Sequence, residues 1–182
     1  MSDIDLKAIA EFSSELASGC REISLKYFRY PMDYAQKEDL TPVTIADESI
    51  ERYMRERIRA AFPDHGIVGE EMEAEEGERY TWYIDPIDGT KSFISGMPLF
   101  GTLAALRDTK EGKTLYGMID MPSLDERWVS DGTTALFNGK PTRASKCTRL
   151  ADAQIYCTSP DIFPDADWAV YEKVSRAAKF RR

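Results

Sequence analysis

Two carboxylates stand three residues apart where an apolar stretch of the chain gives way to Gly-Thr; residues 82–90 read WYIDPIDGT. The residues before Asp85 are strand formers, and the proline that follows it cannot donate a hydrogen bond to a sheet ladder. Gly89 permits backbone angles that are closed to other residues. We therefore expect a strand that stops and turns where Asp85 and Asp88 sit, an arrangement suited to holding hard metal ions beside a phosphate.

Two further carboxylates precede this segment, each at the end of a predicted element. Asp47 falls near the first turn of a helix, and Glu70 follows a short strand. If these acids converge with Asp85 and Asp88, the four form an all-oxygen pocket that suits Mg²⁺ or Mn²⁺. The chain has one histidine, so zinc or non-haem iron is not supported. Two Mg²⁺ ions about 3.5–4 Å apart would clamp the oxygens of an in-line displacement at phosphorus, and one would activate a water.

Gly89 and Thr90 could supply the donors that hold the phosphate. If they open a short helix over residues 91–93, their N–H groups would point at a phosphate oxygen. The hydroxyl of Thr90 would then lie close to the attacking water. The segment would in this way combine a metal pocket with an anion-binding turn.

Each of these elements also has an interpretation without chemistry. The Asp-Pro-x-Asp-Gly composition is common in turns, Glu70 with Glu71 could simply begin the acidic loop at 73–79, and Asp47 could serve only the helix dipole. His65 is expected to close a loop rather than bind metal. An EF-hand is excluded, because its loop needs oxygen ligands at alternate positions before its glycine and a glutamate six residues after it.

Composition limits the classes of protein to consider. With 182 residues, 42% of them hydrophobic, the chain can form one compact domain over 1–182. A formal net charge of −8 argues against sequence-independent binding to nucleic acid and against binding to an anionic membrane surface. Three widely spaced cysteines support neither a disulfide framework nor a zinc pattern and favour a reducing cytoplasm. The N-terminus lacks a signal-peptide pattern, and no stretch reaches the roughly 20 apolar residues of a membrane span.

Hydrophobic periodicity predicts helices first and a sheet afterwards. Apolar residues recur at three- and four-residue steps over about 3–29 and 44–62, the pattern of amphipathic helices, with Thr44 or Asp47 near the start of the second. A short strand is expected at 66–69. Further strands are expected at about 98–107, 114–121, 126–130 and 134–137, with turns at Asn138-Gly139 and Asp131-Gly132, and a last helix over about 166–180.

Three ordered motifs together resemble the inositol monophosphatase-like family of metal-dependent phosphatases. They are residues 39–47 (DLTPVTIAD), Gly69-Glu70-Glu71, and residues 82–90. The resemblance implies an α/β fold, an α+β layered sandwich of the αβαβα type, with N-terminal helices on a largely antiparallel sheet. It also implies a homodimer acting on a small phosphorylated substrate with two or three Mg²⁺ ions, for which Mn²⁺ could substitute.

The resemblance also carries residue roles to matching positions. Glu70, Asp85, the Ile87 carbonyl and Asp88 would be the metal ligands. Asp47 and Thr90, together with Glu70 and its metal, would orient or deprotonate the nucleophilic water. Glu70 and the backbone of Asp88, Gly89 and Thr90 would hold the phosphate.

Within the family, the segment after Gly-Thr resembles the histidinol-phosphate phosphatase branch. Residues 91–102 read KSFISGMPLFGT, and residues 137–143 (FNGKPTR) are similar to that branch as well. Histidinol phosphate is therefore the leading substrate, and an acidic pocket would favour such a cationic amino alcohol. Inositol 1-phosphate or a broad range of sugar phosphates is the alternative.

One departure from the family concerns length. Its members are considerably longer and supply another metal-binding aspartate from a segment beyond the position of residue 182. The resemblance therefore implies a weakly held second metal, impaired turnover relative to a full-length relative, and apolar sheet surface exposed unless a dimer partner or a separate chain covers it. A catalytically weak, truncated chain with a role in assembly or interaction is the alternative from a different class.

Overall fold

The computed structural model describes residues 4–30, 34–36, 42–159 and 162–182. These residues form two compact units, one up to Thr142 and one from Arg143 to Arg182, called here the N-terminal and C-terminal units. The first part of the motif at 39–47, up to Thr41, and the first residue of the helix expected from residue 3 lie outside the described residues. None of the described helices is long and apolar enough to cross a membrane.

The N-terminal unit contains three α-helices, one 3-10 helix (Pro122–Leu124) and nine strands in its described part. The α-helices are α1 (Leu6–Tyr27), α2 (Ile45–Ala61) and α3 (Thr90–Ile94). The strands are β1 (Tyr34–Gln36), β2 (Pro42–Thr44), β3 (Gly66–Val68), β4 (Tyr80–Asp88), β5 (Gly101–Asp108), β6 (Lys113–Met121), β7 (Glu126–Ser130), β8 (Ala135–Phe137) and β9 (Lys140–Thr142). Each element predicted in this region is present, with ends that differ by up to three residues; β1, β2 and β9 were not predicted.

Side-chain caps set the starts of both long helices. The Asp5 carboxylate accepts hydrogen bonds from the N–H groups of Lys7 and Ala8, at 2.9 and 3.2 Å, so α1 begins at residue 6. At the start of α2 the Thr44 hydroxyl accepts from the Asp47 N–H, and the Asp47 carboxylate accepts from the Thr44 N–H at 2.8 Å. This reciprocal capping box satisfies two N–H groups that a helix end otherwise leaves unpaired.

Seven strands form one sheet in the order β3-β4-β5-β6-β7-β8-β9. β3 is parallel to β4, and every other neighbouring pair is antiparallel. Asn138 and Gly139, with φ of 45° and 75°, form the predicted turn between β8 and β9. The expected α/β fold with helices and a mostly antiparallel sheet is thereby confirmed.

Helices cover one face of the sheet, whereas the other face is partly exposed. Helices α1 and α2 pack on the face that presents Trp82, Leu106 and Met118, all buried. The opposite face presents Tyr83 and Ile119, which are 42% and 45% exposed. The apolar groove along it has a volume of about 650 Å³, and Glu70 and Asp85 are among its lining residues.

Strand β4 ends at the second of the two acids, as the sequence predicts, but Pro86 between them does not interrupt it. It continues to Asp88, and its register against β5 shifts between Asp85 and Asp88, which pair with Leu103 and Gly101. The shift is a β-bulge that takes up Pro86, whose missing N–H a regular ladder could not accommodate. The buried Thr102 hydroxyl donates to the Pro86 carbonyl at 2.8 Å and closes the bulge.

The C-terminal unit consists of α4 (Asp165–Arg176) and a two-stranded parallel pair, β10 (Gln154–Ile155) with β11 (Phe180–Arg181). The helix ends four residues earlier than predicted, because the chain leaves it to pair with β10. Tyr171 of the helix stacks on Trp168, also in the helix, and on Phe163, which precedes it; the rings of Phe163 and Trp168 are tilted by 47°.

Candidate active site

Three of the four predicted acids lie close enough to the fourth, Asp85, to change its ionisation. Asp85 is half-buried, and its pKa is raised to about 7, first by burial and then by the negative charges of Glu70, Asp88 and Asp47 and a hydrogen bond with Glu70. Its Oδ1 atom is buried and has no hydrogen-bond partner. The bulged end of β4, the end of β3 and the start of α2 therefore bring the acids into one electrostatic cluster.

The carboxylate oxygens of this cluster are suitable ligands for a hard divalent cation. A buried acceptor oxygen without a donor and mutually repelling carboxylates are both stabilised by a bound positive charge, and all-oxygen donors suit Mg²⁺. As the side chains stand, no three described His, Cys, Asp or Glu residues form a closed ligand set. Glu70 and Asp88 have exposed side chains, so rotation toward Asp85 would be needed to close a coordination sphere.

Asp47 has the capping role that sequence reasoning left open as its simpler interpretation. Its side chain is buried, and its Oδ2 atom accepts from the Thr44 N–H at 2.8 Å and from the Thr44 hydroxyl at 2.6 Å. The same carboxylate lies close enough to raise the pKa of Asp85. Its position is thus fixed by the helix start, and a role toward water stays a prediction.

The turn after β4 has the geometry expected of an anion-binding turn. Gly89 has φ of 89°, in the left-handed region, and α3 begins at the next residue as a helix of five residues. A Cβ atom at Gly89 would lie 3.0 Å from the carbonyl oxygen of Leu99, closer than an ordinary van der Waals contact, and the left-handed φ strains any other residue there. The Thr90 hydroxyl donates to the Ile87 carbonyl at 3.1 Å, which leaves that oxygen a second lone pair for a cation.

Sequence reasoning missed the residue that holds Glu70 in place. Glu51 is completely buried, and its carboxylate accepts from three consecutive N–H groups, those of Glu70, Glu71 and Met72, at 3.0, 2.7 and 3.1 Å. Arg55, also buried, pairs with it at 2.8 Å. A signal was present: Asp47, Glu51 and Arg55 recur every four residues, which places three charges on one face of α2.

We expect the stability of the metal-free protein to fall as the pH rises. The pKa of Asp85 is about 7 when folded against an ordinary value of 3.8, so the folded chain binds this proton more tightly than the unfolded chain. The resulting stabilisation is fully present below pH 3.8 and is lost as the pH rises through about 7.

Denaturant unfolding in EDTA at several pH values measures this loss. Between pH 3.8 and about 7, the free energy of unfolding of the wild type should fall by about 1–2 kcal/mol relative to that of Asp85→Asn. This value is lower than the full pKa shift implies, because Asp85 is only half-buried and solvent screens its charge. A difference between the two proteins that stays constant with pH would contradict the expectation.

Several known proteins are similar to this chain in sequence and in fold. The "Bifunctional phosphatase IMPL2, chloroplastic" of Arabidopsis thaliana is 41% identical over 98% of this chain and 52% of its own length. The "Histidinol-phosphatase" of Chlorobaculum parvum is 38% identical over 85% of this chain and 60% of its own length. The chain thus spans somewhat more than half the length of these two relatives.

A solved inositol monophosphatase from Zymomonas mobilis is 32% identical and superposes with a TM-score of 0.82, over 98% of this chain and 69% of that one. The model of the "Inositol monophosphatase family" matches residues 5–182, a range that contains all four acids and the Gly89 turn. The chain therefore belongs to the inositol monophosphatase family.

Proposed function

We propose that this chain is a Mg²⁺-dependent phosphomonoesterase that hydrolyses histidinol phosphate to histidinol and phosphate. The observation that carries the proposal is the cluster of Glu70, Asp88 and Asp47 with Asp85, whose buried Oδ1 has no hydrogen-bond partner, directly before the Gly89 turn. An acidic site of this kind repels a phosphate ester unless a cation is present.

Each site residue has a role in this proposal. Glu70, Asp85, the Ile87 carbonyl and Asp88 would hold the cation. When bound, Mg²⁺ would neutralise the phosphate charge and increase the acidity of a nearby water. Asp47, held rigidly by its cap, accepts a hydrogen bond from the attacking water, with Thr90 beside it.

The turn itself binds and orients the ester. The N–H groups of Gly89 and Thr90 donate to a phosphate oxygen, so the phosphorus faces the water in line with the leaving oxygen. The water oxygen bonds to phosphorus and loses a proton to the Asp47 carboxylate. The bond from phosphorus to the alcohol oxygen breaks, solvent water protonates the departing oxygen, and Asp47 returns its proton to solvent. No protein nucleophile is needed.

The substrate is proposed on three grounds. The segment at 91–102 resembles the histidinol-phosphate branch, a relative 38% identical is a histidinol-phosphatase, and a cationic amino alcohol is attracted to a chain of net charge −8. Inositol 1-phosphate, or a range of sugar phosphates, is the second candidate, favoured by the likeness to an inositol monophosphatase. The exposed apolar face of the sheet favours a third, a weakly catalytic chain that acts in assembly.

Phosphate release by this chain from histidinol phosphate and from inositol 1-phosphate, across a Mg²⁺ titration, tests the proposal. Mg²⁺-dependent release that favours histidinol phosphate and is absent in Asp85→Asn would support it. A preference for inositol 1-phosphate would favour the second candidate. No release from either ester by a folded sample would contradict the proposal and favour the third.

Three further features belong to the same proposal. We infer a single phosphatase domain over 1–182, a homodimer and a cytoplasmic location, as the sequence predicts. Sedimentation of the purified chain across a concentration series tests the dimer, and a monomer at all concentrations would contradict it.

A further inference from the structure

The short segment that carries Glu70 is fastened to α2 through a single buried carboxylate. Glu51 receives the N–H groups of residues 70, 71 and 72 within 3.1 Å. Hydrogen bonds to a carboxylate are roughly twice as strong as those between neutral groups. Three of them on consecutive residues determine where the backbone of Glu70 lies.

Arg55 makes the buried charge of Glu51 tolerable and extends the attachment along the loop. Its Nε atom donates to Glu51 at 2.8 Å, and its other nitrogens donate to the Met72 carbonyl at 3.1 Å and to Glu75 at 2.6 Å. Arg59 also pairs with Glu75. Both ends of the segment from residue 70 to residue 75 are thus held by charged side chains of α2.

The approach between the segment and the helix is close. A Cβ atom placed on Gly69 would lie 2.1 Å from the Glu51 Oε1 atom. A larger residue at 69 would therefore push the carboxylate off the three N–H groups without changing any charge.

The same helix also fixes Asp47, through the capping box in its first turn. Asp47 and Glu51 are one helical turn apart, so the predicted water-orienting acid and the support of Glu70 share one rigid element. A displacement of Glu51 changes the position of Glu70 relative to Asp47.

We propose that Glu51 is a positioning residue that sets the Glu70 carboxylate for cation binding. This inference rests on the proposed function, in which Glu70 is a metal ligand. Residues that orient metal ligands by hydrogen-bonding to them typically contribute about 10–100-fold to metal affinity. Glu51 acts on the backbone of its ligand rather than on its side chain.

A second buried carboxylate offers a matched control. Asp108 is likewise buried, pairs with Arg79 at 2.7 Å, and accepts from two consecutive N–H groups, those of Lys110 and Glu111, at 3.0 and 3.1 Å. It supports a hairpin between β5 and β6 that carries no predicted site residue. If Glu51 were merely a structural ion pair, its loss should resemble the loss of Asp108.

The experiment compares Glu51→Gln, Gly69→Ala and Asp108→Asn with the wild type. Calorimetric titration with Mg²⁺ alone gives the cation affinity, and hydrogen exchange in EDTA follows the N–H groups of residues 70–72. We expect Glu51→Gln and Gly69→Ala to weaken Mg²⁺ binding about tenfold or more and to speed exchange at 70–72. Asp108→Asn should keep the wild-type affinity whatever its melting temperature.

Two results would overturn the inference: wild-type Mg²⁺ affinity in a folded Gly69→Ala protein with accelerated exchange, or equal loss of affinity in Asp108→Asn. Gly69→Ala keeps Glu51 and Arg55, so the test stands even where Glu51→Gln does not fold. If the wild type itself binds no Mg²⁺, the proposed function fails first, which separates that failure from failure of the positioning role.

Discussion

Replacing Asp85 with asparagine is expected to lower Mg²⁺-dependent phosphate release by about 1000-fold and to abolish stabilisation of the fold by Mg²⁺. Asp85 lies at the centre of the acidic cluster, and its buried Oδ1 is the oxygen without a donor. The amide has the same shape but carries no charge and presents two donors to the cation. Phosphate release and thermal unfolding, each with and without Mg²⁺, measure both effects.

Asp131→Asn is the control for this change. Asp131 is an exposed turn residue whose carboxylate accepts from the N–H groups of Thr133 and Thr134, and an asparagine oxygen can accept the same bonds. This variant should keep wild-type release and the wild-type response to Mg²⁺. Full activity in Asp85→Asn, or an undiminished thermal response to Mg²⁺, would remove Asp85 from the metal site.

The second large effect is expected for Gly89→Ala, which should lower kcat/KM about 100-fold. Gly89 has φ of 89°, and an added Cβ would press on the Leu99 carbonyl oxygen. The turn would have to move, and with it the N–H groups proposed to hold the phosphate. A misplacement of about 1 Å at a reacting group can reduce rates by that factor. Steady-state kinetics at saturating Mg²⁺ measures the loss.

Gly139→Ala separates backbone strain from displacement of the site. Gly139 also has a left-handed φ, 75°, but an added Cβ would meet nothing within 4 Å. Both variants should lose about 1–2 kcal/mol of stability, and Gly139→Ala should keep its kcat/KM. Equal kcat/KM values in the two variants would show that the Gly89 turn does not hold the phosphate.

Periodicity sufficed to predict the elements that have one clear apolar face. The helix expected over 3–29 is present over 6–27, and the one over 44–62 is present over 45–61. Strands β5 to β8 were predicted because each contains a run of apolar residues, and turn pairs such as Asn138-Gly139 mark strand ends. Local signals of this kind need no knowledge of the neighbouring elements.

The failures concern features that depend on distant partners. The sequence did not predict the bulge at Pro86, where the Thr102 hydroxyl from β5 donates to the Pro86 carbonyl and β4 continues to Asp88. Glu51 resembles any solvent-facing helix residue until the N–H groups of residues 70–72 meet it. Glu70, Asp88 and Asp47 each raise the pKa of Asp85, and the metal and catalytic roles of the four acids stay predictions that rest on the resemblance.

The bulge in β4 places the side chains of Asp85 and Asp88 on the same face of the sheet. In a regular strand, side chains three positions apart project to opposite faces, so Asp85 and Asp88 should diverge. Their partners on β5, Leu103 and Gly101, are two positions apart, because the bulge absorbs one residue and restores the alternation. A variant that straightened this strand would keep every acid and turn one of them to the wrong side. Two uncharged residues, Pro86 and Thr102, therefore determine on which side of the sheet the negative charge accumulates.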